Sequence, residues 1–302
     1  MKKIILVAGA TGNLGSRIVD VLAAKDVTVR VLIRSNTGAE KLKDFERQGV
    51  EICKVENWNI EEIKTHCIGV SCVVSVLAGL RDVVIDAQKV LLDAAIAAGV
   101  PRFIPSDYSL DFTKFSYGEN RNLDWRREFH EYLDKCPIAA TSVFNGAFME
   151  LLLDEMPMII FKKQIVIYWG KADYKWGFTT MDNTAAFTAN VAIDDSTPRY
   201  LRIAGDLISP NEVHKTISNI TGGKFRFIRI GGQGLLGLFI KLGRFFSPGK
   251  NDLYPAWQGM QYMHNMIDER SKIEVLDNNR YSGINWKTVE VLLKENNFKN
   301  HK

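Results

Sequence analysis

Two periodicities alternate along the first half of the chain. Lys3–Ala8 is a short apolar run of strand character, and Leu14–Ala24 follows with apolar residues at Leu14, Ile18, Val21 and Leu22, the spacing of one helix face. Strands are predicted next at Thr28–Ile33 and Glu51–Val55, around a polar amphipathic helix at Ala39–Gln48. Val70–Leu77 is nearly all apolar, as expected of a strand covered by helices on both faces. Arg81–Ala98 reads as a long Ala-rich helix, closed by Gly99 with Pro101 just beyond. Further strands are predicted at Arg102–Pro105 and Ala139–Phe144, separated by a loop and a helix at about Leu123–Lys135. This alternation specifies an α/β fold built on a doubly wound parallel sheet.

After Asn145 the pattern becomes irregular. It predicts a strand at Ile165–Trp169, a helix at Asn183–Ile193, a strand at Tyr200–Ala204 returning to the main sheet, and a helix at Asn211–Thr221 ended by Gly222 and Gly223. An alternating strand Lys224–Ile230, a Gly- and Phe-rich piece (Gly231–Gly249), an aromatic and Met-rich piece (Tyr254–Met266) and a helix near Trp286–Glu295 complete the chain. The expected organisation is a nucleotide-binding domain over residues 1–150, joined by the returning strand near 200–204. Residues 151–302 mainly form a smaller, discontinuous α/β lobe that supplies a substrate lid.

Composition narrows the class. With 46% hydrophobic and 25% charged residues among 302, the chain resembles a globular protein and not a disordered one. A surplus of 39 Lys+Arg over 35 Asp+Glu is too small to describe a nucleic-acid binder. Cys53, Cys67, Cys72 and Cys136 form no CxxC pair, which points to a reducing compartment. The opening Met1–Ala8 imitates a signal peptide, but the apolar run breaks at Gly9, with Asn13 and Arg17 beyond. No uncharged apolar stretch reaches the roughly 18–20 residues of a membrane span, so a cytoplasmic location is expected. Leu235–Phe246 is apolar with two basic residues; a lid over a pocket is favoured there over contact with a membrane surface.

The chemistry begins at Gly9-Ala10-Thr11-Gly12-Asn13-Leu14-Gly15, a GxxGxxG between the first strand and first helix. Gly9 suits the tight turn off the strand, Gly12 lets the backbone approach a pyrophosphate, and Gly15 lets helix and strand pack closely. The N–H groups that open the helix then face the phosphates, with side-chain hydrogen bonds available from Thr11 and Asn13. An NAD site places an acid at the tip of the second strand; here the tip is Val31-Leu32-Ile33-Arg34-Ser35-Asn36. Arg34 offers a planar cationic fork for a 2′-phosphate, so NADP(H) is expected over NAD(H).

GATGNLG with VLIRS, Arg102–Tyr108 (RFIPSDY), Thr141–Phe148 (TSVFNGAF), Pro255–Tyr262 (PAWQGMQY) and Leu276–Tyr281 (LDNNRY) together resemble the NmrA-like group of atypical short-chain dehydrogenases. That group includes isoflavone reductase-like enzymes and redox-sensing regulators. The resemblance spans essentially the whole chain and implies a Rossmann fold with NADP(H) seated on Gly9–Gly15 and Arg34. It further implies Glu56 and Asn57 near the adenine, and Leu77, Ala78 and Gly79 under the adenine ribose and phosphates. Ser106 and the turn beginning Phe144-Asn145 are implied on the nicotinamide side.

The short-chain dehydrogenase Tyr-x-x-x-Lys pair is missing; the nearest string runs from Tyr117 to Arg121. Isoflavone reductase-like enzymes rely instead on one lysine in the helix after strand five, where this chain has Trp125-Arg126-Arg127. Arginine stays protonated and cannot serve as a proton-transfer group, but it can polarise a carbonyl. Trp125, Phe129, Tyr132 and Leu133 share an apolar face that Arg126 borders, while Arg127 points toward Asp124 and Glu131. Arg126 is therefore the candidate catalytic residue; His130, one turn later, could supply the proton instead, although a lone histidine is more often structural. His66, His130, His214, His264 and His301 lack metal-ligand spacing, so no metal is expected. The leading expectation is a reductase of a small apolar carbonyl, enone or quinone; the alternative is a non-catalytic NADP(H) sensor acting on a protein partner.

Overall fold

In the computed structural model, residues 2–153, 155–249 and 251–296 are described. The chain forms two compact units that interleave along the sequence. Met1–Tyr108, Trp125–Val143 and Thr184–Leu201 make the first, and Ser109–Asp124, Phe144–Asn183 and Arg202–Lys302 the second. Beyond a boundary near residue 150 and a return near 200–204, the division is finer: 109–124 joins the second unit and 184–201 returns to the first.

The first unit is built on six parallel strands: β1 (Ile4–Ala8), β2 (Thr28–Arg34), β3 (Glu51–Val55), β4 (Cys72–Ser75), β5 (Arg102–Ile104) and β6 (Ala139–Ala140). Their order across the sheet is β3-β2-β1-β4-β5-β6, which is the doubly wound arrangement. Between them run α1 (Asn13–Ala23), α2 (Ala39–Arg47), α3 (Ile60–Cys67), α4 (Gln88–Ala97) and α5 (Arg121–Leu133). α1 buries Leu14, Gly15, Ile18, Val19 and Leu22, close to the face its spacing predicts.

The long helix expected from Arg81 begins with a π-helical segment, Asp82–Ala87, before α4. Trp58 donates its indole N–H to the Ala87 carbonyl at the end of that wider segment (2.9 Å). One core cluster joins Leu6, Val73, Leu91, Leu92 and Phe103 to Phe129 and Leu133 of α5. Each such fully buried Leu or Phe is worth roughly 1.5–3 kcal/mol in transfer free energy.

β7 (Ser142–Phe144) continues past β6, β8 (Ala147–Phe148) follows it, and β9 (Ile159–Ile160), β10 (Ile165–Trp169) and β11 (Trp176–Thr179) lead to α6 (Met181–Ile193). β12 (Tyr200–Arg202) pairs with β7. Buried Arg102 of β5 donates to the carbonyls of Val191, Ala192 and Asp194 and to Thr197 Oγ1, satisfying the last carbonyls of α6 with a cation at the helix's negative end.

The remaining elements are β13 (Asp206–Ile208), α7 (Pro210–Thr221), β14 (Arg226–Gly231), α8 (Gln233–Phe246), α9 (Ala256–Met266) and α10 (Val289–Glu295). The second unit contains two small mixed sheets, β14-β10-β9 and β13-β11-β8. α7 opens on a reciprocal capping box between Ser209 and Glu212 and closes on left-handed Gly222. Among the described residues no helix is long and apolar enough to cross a membrane.

Candidate functional site

Strand order reverses between β1 and β4, and open α/β sheets bind ligands at such a point, beyond the carboxyl ends of the strands. The loop after β1 and the segment after β4 meet there. Gly9 has φ +84°, and a Cβ on it would stand 2.6 Å from the Val76 carbonyl oxygen, so only glycine fits. Gly12 donates to the Gly9 carbonyl (3.1 Å) and caps α1 without any side-chain hydrogen bond. The helix therefore opens on Asn13, Leu14 and Gly15 with its first-turn N–H groups available to an anion. A Cβ on Gly15 would collide with the Gly9 carbonyl and Ala10 Cα, so the third glycine lets α1 pack on its own entry loop. Thr11 and Asn13 sit on that loop and first turn, and Asn13 Oδ1 accepts from Arg17 Nε (3.1 Å).

Beside this loop, Arg34 ends β2 and is exposed; among the described residues no carboxylate pairs with it. Thr37 closes the turn by donating its N–H and hydroxyl to the Arg34 carbonyl (3.0 and 2.7 Å). Glu56 and Asn57 follow β3, and Glu62 accepts both their backbone N–H groups (2.7 and 2.8 Å). Those two bonds hold the Glu62 carboxyl below its ordinary value. Leu77, Ala78 and Gly79 run from β4 toward the π-helical segment, where a Cβ on Gly79 would meet Val83 at 2.6 Å.

Ser106 follows β5 and is buried; Gln88 Oε1 accepts its N–H (2.9 Å), and its carbonyl accepts from Arg126 Nε (3.2 Å). Arg126 is half-buried and so tethered to the carboxyl edge of the sheet. Arg127, expected on the solvent side near Asp124 and Glu131, is half-buried, and its Nε is shielded from solvent. Phe144 and Asn145 belong to the second unit. The Asn145 N–H donates to the Ser109 carbonyl (3.0 Å), its carbonyl accepts from Thr179 Oγ1 (2.6 Å), and Phe144 packs edge-on to Phe112 at 5.3 Å.

Sequence reasoning missed the network around His130. Its Nε2 lies 2.5 Å from Oδ2 of Asp107, which is wholly buried, and Ser142 Oγ donates to the same oxygen (2.6 Å). Arg199 in turn donates to Ser142 Oγ (2.6 Å) and pairs with Asp134 (2.9 Å). Burial alone would raise the Asp107 carboxyl. The charge and hydrogen bond of His130, the Ser142 hydroxyl and the Arg199 guanidinium together hold it below its usual value. Asp107 stands next to Ser106 in the RFIPSDY segment, the one local signal that could have drawn attention to it.

Comparison with known proteins agrees with this architecture. Oxidoreductase aprR of Aspergillus flavus is 26% identical over 226 residues, covering 72% of this chain and 74% of that protein. Pinoresinol reductase 1 of Arabidopsis thaliana is 27% identical over 223 residues, 69% of each chain. A solved isoflavone reductase superposes with a TM-score of 0.82 at 16% identity, covering 98% of this chain and 99% of that one. AtPrR2 with NADP+ and (+)pinoresinol gives 0.79 at 23% identity, with the same two coverages. The NmrA-like family profile matches residues 1–285, and the chain belongs to the NmrA-like family.

Proposed function

We propose that the protein is an NADPH-dependent reductase that delivers a hydride to a small apolar carbonyl, enone or quinone. The observation that carries this reading is the strand-order switch point, where the α1 N-terminus has no side-chain cap and exposed Arg34 ends β2. The similar proteins are named as reductases or an oxidoreductase, which favours turnover over a purely sensing role.

The residues present suit such a cofactor. Gly9, Thr11, Gly12, Asn13, Leu14 and Gly15 would cradle the pyrophosphate, and Arg34 would grip the 2′-phosphate. Glu56 and Asn57 would border the adenine, Leu77, Ala78 and Gly79 the ribose and phosphates, and Ser106 the nicotinamide side. Bound NADPH supplies the hydride. Arg126, anchored through Ser106, polarises the acceptor oxygen as the carbon takes the hydride. Because arginine keeps its proton, water or a neighbouring side chain protonates that oxygen.

The direct test is NADPH oxidation against a panel of quinones and enones. We expect Arg126→Ala to lower kcat by about 10²–10³-fold, the usual cost of one oxyanion donor. Tight NADP+ binding with no acceptor reduced would overturn the enzyme reading and leave the sensor. Separately, Arg34→Ala should weaken NADPH binding roughly 10–100-fold while sparing NADH, because it removes a charge-assisted contact to the 2′-phosphate. Equal loss for both cofactors would remove Arg34 from that role.

A further inference from the structure

α8 presents two apolar faces. One carries Leu236 and Ile240, both buried, and near them Gly243, whose Cβ position lies 3.0 Å from Trp257 of α9. Arg244 covers the same indole, its guanidinium 5.5 Å from the ring centroid. The second face is largely open to solvent, with Phe239 edge-on to Trp169 (5.9 Å). At about 100° per residue, Leu235, Leu238, Phe239, Leu242, Phe245 and Phe246 fall within an arc of roughly 120° centred on Leu242. All six are exposed, Phe245 by 79% and Phe246 by 77%. The arc offers no hydrogen-bonding side chain.

The charge around this helix is one-sided. Residues 213–251 contain seven Lys or Arg and no Asp or Glu, while the rest of the chain holds 32 basic against 35 acidic residues. The whole positive surplus of the protein therefore lies in the segment that carries the exposed arc. Lys241 and Arg244 of α8 and Lys224, Arg226 and Arg229 before it are all exposed.

In place of the lid that the sequence favours for Leu235–Phe246, we propose that α8 docks on an anionic membrane surface, with the Leu and Phe arc entering the headgroup boundary and Lys241 at its border facing lipid phosphates. An apolar arc without polar recognition groups, carried by a segment whose charged residues are all cations and flanked on its own helix by exposed Lys241, matches an interface that is apolar within and negative at its rim. A second copy of the chain matches less well, since a two-fold pairing of this face would bring the two sets of cations together. The proposal is independent of the reductase reading and is tested without turnover.

The experiment is co-sedimentation of the purified full chain with vesicles of phosphatidylcholine alone and of phosphatidylcholine with about a quarter phosphatidylglycerol, at low and high salt. Binding to the anionic vesicles at least tenfold above the neutral ones is expected. Lys241→Glu should weaken it by roughly fivefold or more, at about 1 kcal/mol per cation. F245S with F246S should weaken it at least tenfold, with an unchanged circular dichroism spectrum, because both rings already face solvent. Absence of anionic-vesicle binding would overturn the proposal. So would binding indifferent to F245S/F246S, which would mark it as non-specific charge attraction. A dimer in sedimentation velocity that the same substitutions dissolve would overturn it in favour of a second copy.

Discussion

His130 shows how a residue's meaning depends on its neighbours. In the sequence it is one of five scattered histidines; in the fold it lies against buried Asp107, which also binds Ser142. His130→Ala leaves the wholly buried Asp107 carboxylate with only the Ser142 hydroxyl bond and the Arg199 charge to compensate it, and should cost about 3 kcal/mol in chemical denaturation. Asp107 also sets an acid limit. Its folded pKa lies below the unfolded value, so its contribution is full above about pH 4 and fades as pH falls through the folded pKa. Asp107→Asn should flatten the dependence of unfolding free energy on pH below about 4; an unchanged slope would show that other carboxylates set the acid limb.

The elements differ in what their glycines do, and this gives a contrast to measure. Gly15 opens α1 with Ala10 Cα only 2.9 Å from where its Cβ would lie, so Gly15→Ala must push the helix off its loop. We expect a loss of roughly 1–3 kcal/mol, as for overpacking elsewhere, together with at least tenfold weaker NADPH binding. Gly259 lies within α9 with nothing near its Cβ position, and Gly259→Ala should stabilise by up to about 1 kcal/mol through helix propensity alone. Equal effects from the two substitutions would show that close packing at Gly15 is not what α1 requires. The π-helical segment is a feature that propensity could not locate. It lies where Gly79 comes close to Val83 and where Trp58, 29 residues earlier in the chain, binds the Ala87 carbonyl, a contact that local sequence does not reveal.

At the scale of the whole molecule, the four cysteines do not assemble into a redox device. Cys53, Cys67 and Cys72 are buried, and burial pushes the Cys67 and Cys72 thiols up to about 12. Native protein should therefore leave Cys67 and Cys72 unmodified by an aromatic disulfide reagent over minutes at neutral pH, while denaturant exposes all four thiols. Fast native modification of either would show that the first unit opens readily at α3 or β4. The net charge also changes meaning at this scale: as a total it is small, yet it is the difference between a basic segment around α8 and a slightly acidic remainder.

Periodicity was enough to establish the alternating elements and the parallel sheet, because strand and helix faces repeat within a few residues. The same held for the glycine loop and for Arg34 at the end of β2, where motif and strand tip are adjacent in sequence. Only the return of the chain near residue 200 was legible; the passage of 109–124 into the second unit and of 184–199 into the first was not, since a chain crossing from one unit to the other leaves no periodic mark. Nor were the Asp107–His130–Ser142–Arg199 network, the shielding of Arg127 or the Arg126–Ser106 tether. Each depends on side chains brought together by the sheet from separate strands and helices, and only tertiary packing decides which polar groups share a buried space.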